Sequence, residues 1–228
     1  NWDGDTDADG LINAMDNDSD NDGLSDGFED KNGDGVLDDD ESDPLLADTD
    51  GDDVGDGKEP DAWTDTDGDG DINVRDVDSD DDGLNDGTED ADHDGAIAGD
   101  TNGDRTMDAG ETWTETDPLN ADTDGDGLGD GTEDAAGTDP LDADSDGDGI
   151  ADGDEPDWNV DTDGDGDINA LDTDSDDDLI PDNVEDADQD GLIAGDTGDD
   201  RTGLPGEAWT ETDPIVADTD GDGLDDGD

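Results

Sequence analysis

Acidic residues at every second position, followed at once by a glycine, make a tight loop that can turn its side chains onto one hard cation. The run Asp18-Ser19-Asp20-Asn21-Asp22-Gly23-Leu24-Ser25-Asp26-Gly27-Phe28-Glu29 has this spacing, with acids at positions 1, 3, 5, 9 and 12 and glycine at 6. Calcium takes about six to eight oxygens at about 2.3–2.6 Å. Side chains 1, 3 and 5 converge, the carbonyl of position 7 adds a fourth ligand, position 9 reaches the ion through water, and Glu at 12 can offer both oxygens. Glycine at 6 supplies the sharp turn because it reaches positive φ without strain. Magnesium suits the loop less, since it demands near-octahedral geometry and keeps its waters. Soft metals lack their ligands, with no Cys and a single His.

The pattern starts fifteen times. The loop above offers Asp18, Asp20, Asp22, Asp26 and Glu29 as candidate ligands. Five more fit the same reading, one of them with Asn32 at position 3. They offer Asp30, Asn32, Asp34, Asp38 and Glu41; Asp48, Asp50, Asp52, Asp56 and Glu59; and Asp78, Asp80, Asp82, Asp86 and Glu89. The other two offer Asp122, Asp124, Asp126, Asp130 and Glu133, and Asp144, Asp146, Asp148, Asp152 and Glu155. A second type has Asn at 9 and Asp at 12: Asp5, Asp7, Asp9, Asn13 and Asp16; Asp65, Asp67, Asp69, Asn73 and Asp76; Asp161, Asp163, Asp165, Asn169 and Asp172. The last loop offers Asp218, Asp220, Asp222 and Asp226.

The remaining loops are defective. Leu179 stands at position 6 of the loop of Asp174, Asp176, Asp178, Asp182 and Glu185. Arg105 does so in the loop of Asp100, Asn102, Asp104, Asp108 and Glu111. Arg201 does so in the loop of Asp196, Asp200 and Glu207, where Gly198 also removes the ligand at 3. Bulk at 6 costs strain, and arginine adds positive charge. Asp53 at the same place in the Asp48 loop is mild, because Asp tolerates the left-handed region. The loops of Asp90, Asp92 and Asp94, and of Asp186, Asp188 and Asp190, have Ala98 and Ala194 at position 9. These two are expected to borrow Asp100 or Asp196.

Composition says what must hold such loops together. Of 228 residues 85 are acidic and 5 are Lys or Arg, a formal charge of -80, and only 24% are hydrophobic. Low hydrophobicity with extreme charge is the signature of a chain that cannot fold on apolar burial. Without Cys there are no disulfides, so bound cations are left as the organising element. One divalent ion per loop would leave a charge of about -50 and two about -20, so we expect about fifteen to thirty calcium ions, with sites shared between adjacent loops. The acidic surface repels nucleic acid and anionic membranes, and no apolar run is long enough to insert into a bilayer.

A longer period overlies the loops. Residues 65–160 form a full block of 96, residues 161–228 begin the same block again, and residues 1–64 are a shortened version. The chain begins and ends within motifs and is read as a segment of a longer array. No stretch has a helical period and no long alternating strand exists, while 35 Gly and 8 Pro punctuate the chain. The expected fold is irregular, with little regular secondary structure beyond very short helical turns: an elongated, calcium-stabilised linear repeat array.

The loop Asp122–Glu133, the connector Gly137-Thr138-Asp139-Pro140-Leu141 and the next loop at 144–149 resemble bacterial thrombospondin type 3 repeats. The connector recurs at 42–45, 116–119 and 212–215. The resemblance implies a chain with little secondary structure wrapped around a row of calcium ions, in an extracellular or cell-surface setting, often as a stalk or spacer. Animal members carry cysteines between loops, and this chain has none.

Other residues stand out less. Trp2, Trp63, Trp113, Trp158 and Trp209 are read either as packing plugs between loops or as a contact surface for other chains or glycans. Leu24, Ile72, Leu84, Leu128 and Ile168 are expected to be small core contacts. Asn17-Asp18-Ser19 is an N-glycosylation sequon. Acids are so abundant that no pair nominates a general acid and base, and no phosphate-binding loop is present, so the chain is not expected to be an enzyme. Two functions remain: an extracellular structural element, self-assembling into a fibre or forming a rigid stalk, and a calcium-dependent adhesion module or calcium buffer.

Overall fold

A computed structural model describes residues 2–187, 189, 191–192, 210–221 and 223–227. The chain packs as two compact units, Asn1–Thr123 and Asp124–Asp228. This division is by packing, whereas the sequence blocks follow the period of the loops.

Regular structure is sparse and always in the same place. Four short α-helices, α1 (Asp26–Glu29), α2 (Asp86–Glu89), α3 (Asp130–Ala136) and α4 (Asp182–Glu185), each start at position 9 of a loop, and α1, α2 and α4 end at position 12. One helical turn from 9 to 12 puts the Glu back beside the loop it follows. The helix α3 runs longer, into Ala135 and Ala136, and stops where Gly137 takes a left-handed φ of 97°. Loops with Asn at 9 close instead with a 3-10 turn, at Asn13–Met15, Asn73–Arg75 and Asn169–Leu171. Among the described residues there is no strand, only an isolated bridge between Ala109 and Glu111. This is the irregular repeat fold that the sequence predicts.

The backbone of the loop needs two left-handed residues, not one. Among the described residues position 6 has positive φ, even where it is Asp53 (87°), Arg105 (55°) or Leu179 (85°). Position 4 does too, at Asn21 (60°), Asp81 (57°), His93 (56°) and Asp177 (55°), and it is glycine in many other loops. The two inversions turn successive N–H groups inward. In the Asp48 loop, for example, Asp48 accepts from the N–H of Gly51 and of Asp53.

The apolar core is small. In the first unit it comprises Val54, Ala62, Val74, Ile97 and Trp113, and in the second Ile150 and Ala170. Position 7 does supply core at Val54 and Ile150, but Leu24, Leu84 and Leu128 at that position, with Ile72 and Ile168 at position 8, are only half-buried. Trp113 is a buried plug. Trp63 packs edge-on to Phe28, centroids 5.5 Å apart, under the ammonium of Lys31. Trp158 is half-buried, Trp2 is exposed, and Trp209 lies outside the described residues. What fills the interior instead is carboxylate: Glu29, Glu41, Asp56, Glu59, Asp86, Glu89, Glu133, Asp152, Asp182 and Glu185 are all buried. Among the described residues only one salt bridge answers this charge, Arg105 with Asp117.

Candidate metal centres

Many loop carboxylates give one oxygen to the backbone and keep another. Position 5 accepts the N–H of position 7, as Asp22 does from Leu24 at 2.7 Å and Asp148 from Ile150 at 2.8 Å. Position 3 accepts the N–H of position 5, as Asp50 does from Asp52 at 3.2 Å. Position 1 accepts from position 6, as Asp78 does from Gly83 at 3.2 Å. The oxygens left over are buried without a hydrogen-bond partner: Oδ1 of Asp18, Asp78 and Asp174, and Oδ2 of Asp50, Asp80, Asp146 and Asp176. Both oxygens of Asp20 are in this state. Asp5, Asp7 and Asp9, Asp18, Asp20 and Asp22, and Asp48, Asp50 and Asp52 each bring one oxygen within 4.8 Å of the others.

A second set of oxygens lies between loops. Asp22 and Glu29 of one loop meet Asp56, at position 9 of another, within 4.8 Å. Asp52 and Glu59 meet Asp86 of the Asp78 loop in the same way. Position 5 thus belongs to two clusters, one inside its loop and one shared. Neighbouring loops are also joined by hydrogen bonds at this point. Oδ2 of position 5 accepts the N–H of position 10 of the partner loop: Asp52 from Gly87 (2.9 Å), Asp126 from Gly153 (2.9 Å), Asp148 from Asn183 (3.1 Å) and Asp178 from Gly227 (2.8 Å). Glu29 and Glu59, at position 12, belong to these shared clusters, and Oε2 of Glu29, Glu59 and Glu89 and both oxygens of Glu155 are buried without a hydrogen-bond partner.

Burying these oxygens without a cation forces protons onto them. Burial first, then the charges of Asp52 and Asp86, push Glu59 up to about 10. Burial, with Asp148 and Asp182 next, pushes Glu155 up to about 9. Burial, with Asp80 and Asp82 next, pushes Glu89 up to about 9. Desolvation of a carboxylate costs far more than the fold can spare unless a positive charge sits among the oxygens. Calcium would fit: it takes oxygen ligands, in number, and at this mutual spacing. The sign of the shift gives a prediction. A folded-state value raised above 4.5 stabilises the calcium-free fold only at low pH, and that stability is lost as pH rises through the folded values. In chelator the chain should therefore be expanded at about pH 8 and contract as pH falls towards about 5. Small-angle scattering across this range checks it, and a radius of gyration that ignores pH would contradict it.

Position 9, expected to reach the ion through water, has a structural task as well. Its carboxylate clamps residue 2 of the loop. Ser79 donates its N–H (2.8 Å) and hydroxyl (2.6 Å) to Asp86; Thr49 does the same to Asp56, Ser145 to Asp152 and Ser175 to Asp182. Where position 9 is Asn, its oxygen accepts from residue 2 and its amide holds the segment ahead of the loop. Asn73 accepts twice from Thr66 and donates to the Pro60 carbonyl, and Asn169 donates to that of Pro156. Asn13 accepts from the Thr6 N–H.

The connectors position the sites, a role the loop pattern does not reveal. The hydroxyl of Ser42 donates to Glu29 (3.1 Å) and that of Thr116 to Glu89 (3.0 Å), aiming each position-12 carboxylate. The next residue, Asp43, Asp117, Asp139 or Asp213, donates its N–H to the hydroxyl at position 2 of the following loop, at 2.9–3.0 Å. Replacing a clamp hydroxyl should therefore hurt. Ser79→Ala removes a fully buried hydrogen bond to a charged group and is expected to cost roughly 1.5–3 kcal/mol in denaturant titrations in calcium. A loss under about 0.5 kcal/mol would mean the clamp is not needed.

The defective loops are held differently. In the Asp90 loop the N–H groups of Asp92 and Ala98 both go to Glu115 (3.2 and 2.8 Å). So Glu115, not Asp100, closes this loop. Glu41 does the same for the Asp30 loop, accepting from Asn32 and Asp38, and Glu211 accepts from Ala187. The shared sequence Glu-Ser/Thr-Asp-Pro at 41–44, 115–118 and 211–214 was the signal for this role. Asp100 turns on its own loop, accepting from Asn102, Gly103 and Arg105, and these hydrogen bonds hold its carboxyl below the usual range. Glu111 is held low in the same way, chiefly by Thr101. Arg105 reaches out of the loop and pairs with Asp117 through two nitrogens. Asp188, Asp190, Asp196, Asp200, Glu207 and Asp222 lie outside the described residues.

A family model described as the bacterial TSP3 repeat matches residues 18–33, 122–143 and 144–156. Comparison with curated proteins gives no match.

Proposed function

We propose that this chain, three segments of which match the bacterial TSP3 repeat and whose carboxylates cluster as cation sites, is an extracellular calcium-binding structural element, a fibre subunit or a rigid cell-surface stalk set in shape by calcium. The observation that carries this reading is the shared cluster. Asp22, Glu29 and Asp56 belong to two different loops, so an ion among them fastens loop to loop rather than filling a single loop. A buffer needs independent sites that fill over a range of concentration. A mechanical element needs sites that lock its units to each other. The calcium that would hold them is about millimolar outside the cell, within reach even of weak extracellular sites. When bound, calcium supplies positive charge to the buried clusters, and the chain's own residues orient the oxygens and exclude water.

Electron microscopy and sedimentation of the full chain in millimolar calcium test this. Filaments, or extended particles that lose their form on chelation, support the proposal. Isolated compact monomers of unchanged form with and without calcium would sink it.

A further inference from the structure

Among the described residues the only cation paired with a carboxylate is Arg105. It stands at position 6 of the Asp100 loop with φ 55°, a left-handed conformation that costs an L-residue energy. Its Nε donates to Oδ1 and Oδ2 of Asp117 at 3.0 and 3.1 Å, and its Nη2 donates to Oδ1 as well. The Asp117 side chain is 4% exposed. A carboxylate so buried is costly unless a cation is fitted to it, and the planar fork of arginine is the best fit available. Connectors with no arginine at the matching place bury their aspartate less: Asp43 follows a loop with Gly35 at position 6 and is half-buried, and Asp139 is exposed. The block period sets Arg201 and Asp213 at the same separation as Arg105 and Asp117. Asp213 is again buried, while Arg201 lies outside the described residues.

Asp117 occupies a junction. The residue before it, Thr116, donates its hydroxyl to Glu89 at 3.0 Å. Its own N–H goes to the Thr123 hydroxyl at 3.0 Å, and its Oδ1 also accepts the N–H of Leu119 at 3.0 Å. Glu89 keeps a buried Oε2 without a hydrogen-bond partner, and the charges of Asp80 and Asp82 act on it. It holds the same place in its loop as Glu29, which meets Asp22, and Glu59, which meets Asp52. We propose that Arg105 is a positioning residue for the cation site at Glu89: by fixing Asp117 it sets the connector so that the Thr116 hydroxyl orients the Glu89 carboxylate before the ion arrives. The arginine that breaks the pattern of the Asp100 loop thereby serves a neighbouring site. Groups that orient a metal ligand from behind typically contribute about tenfold to a hundredfold in affinity. The inference rests on the calcium reading, since it requires an ion at Glu89.

The test is a calcium titration of the full chain followed by amide NMR, read in the Asp78 loop around Glu89 and in the Asp144 loop around Glu155. Arg105→Gln should raise the calcium concentration needed by the Asp78 loop by about tenfold or more and leave the Asp144 loop unmoved. Thr116→Val keeps the shape of the side chain but removes its hydroxyl from Glu89, and should act on the same loop alone. Adding Arg105→Gln to Thr116→Val should then change nothing further, because the path from Arg105 to Glu89 is already cut. An arginine with a merely structural role would add its loss to that of Thr116→Val. Arg105→Lys keeps the charge without the fork and should shift the Asp78 loop alone, by less; it carries the test if the Gln variant does not fold. Equal shifts in both loops, no shift in either, or additive losses in the double variant overturn the proposal. A wild-type chain whose amides ignore calcium would instead sink the calcium reading itself.

Discussion

Removing calcium from this chain at neutral pH is expected to abolish its fold and expand it towards the dimensions of a random coil. The interior holds few apolar side chains, Val54, Val74 and Ile150 among the best buried, against many buried carboxylates such as Glu29, Glu133 and Glu185. Ordering the backbone costs roughly 1–2 kcal/mol per residue, and this much apolar surface cannot offset it. Nor can the carboxylates be neutralised from within, because the chain has 5 basic residues against 85 acidic ones. Binding free energy is then folding free energy. Circular dichroism and scattering, measured in calcium and after chelation, should report two different states, reversibly exchanged. Identical spectra and radii would show that the loops stand without ions.

The second large effect is expected at a single side chain that serves two clusters. Asp52 takes part with Asp48 and Asp50 inside its loop and with Glu59 and Asp86 across the loop boundary. Its oxygens also accept from the N–H groups of Val54 and Gly87. Asp52→Asn keeps the volume but turns a donor towards groups that need an acceptor, and it removes one charge from both sites. Two calcium ions should be lost. At free calcium about a hundredfold above Kd, each lost ion removes about 2.7 kcal/mol, so the pair costs about 5 kcal/mol. Asp100→Asn is the comparison. Asp100 hydrogen-bonds to the backbone of its own loop, in which Asp104 and Asp108 are exposed, so the change should stay within about 0.5 kcal/mol and lose no ion. Calcium counting by equilibrium dialysis, with denaturant titration, separates the two. Equal losses for both variants would contradict the assignment of shared sites.

Much of this was legible in the order of residues. The spacing 1-3-5 with a turn at 6 is local, so it is complete within a dozen residues and needs no partner to be read. The inward set of Asp18, Asp20 and Asp22 follows from it, as do the strained conformations of Arg105 and Leu179 at position 6. The left-handed residue at position 4 was harder to see. Asn21, Asp81 and His93 share no side-chain type, and what they have in common is only that the N–H groups around them must turn towards position 1.

Sequence alone determined that the loops present oxygens spaced for hard cations, and that regular secondary structure is almost absent, because both follow from charge, composition and short-range spacing. Only the tertiary structure decided which loops meet. Asp22 and Asp56 are far apart in the chain, as are Asp52 and Asp86, and nothing in either loop names its partner. Position 10 is where they touch: Gly57, Gly87 and Gly153 have no Cβ to collide with the carbonyls of Asp22, Asp52 and Asp126, so one loop's backbone lies against the other. The same close approach brings position 9 of one loop beside the glutamate of the other. Where Asn183 replaces glycine at that place, its side-chain amide donates to the Asp148 carbonyl instead, and the loops still meet. Likewise the connector hydroxyls of Ser42 and Thr116 gained their meaning only when folding brought them to Glu29 and Glu89. Contacts between loops depend on backbone approach over long separations, and a pattern read along the chain carries no distance across it.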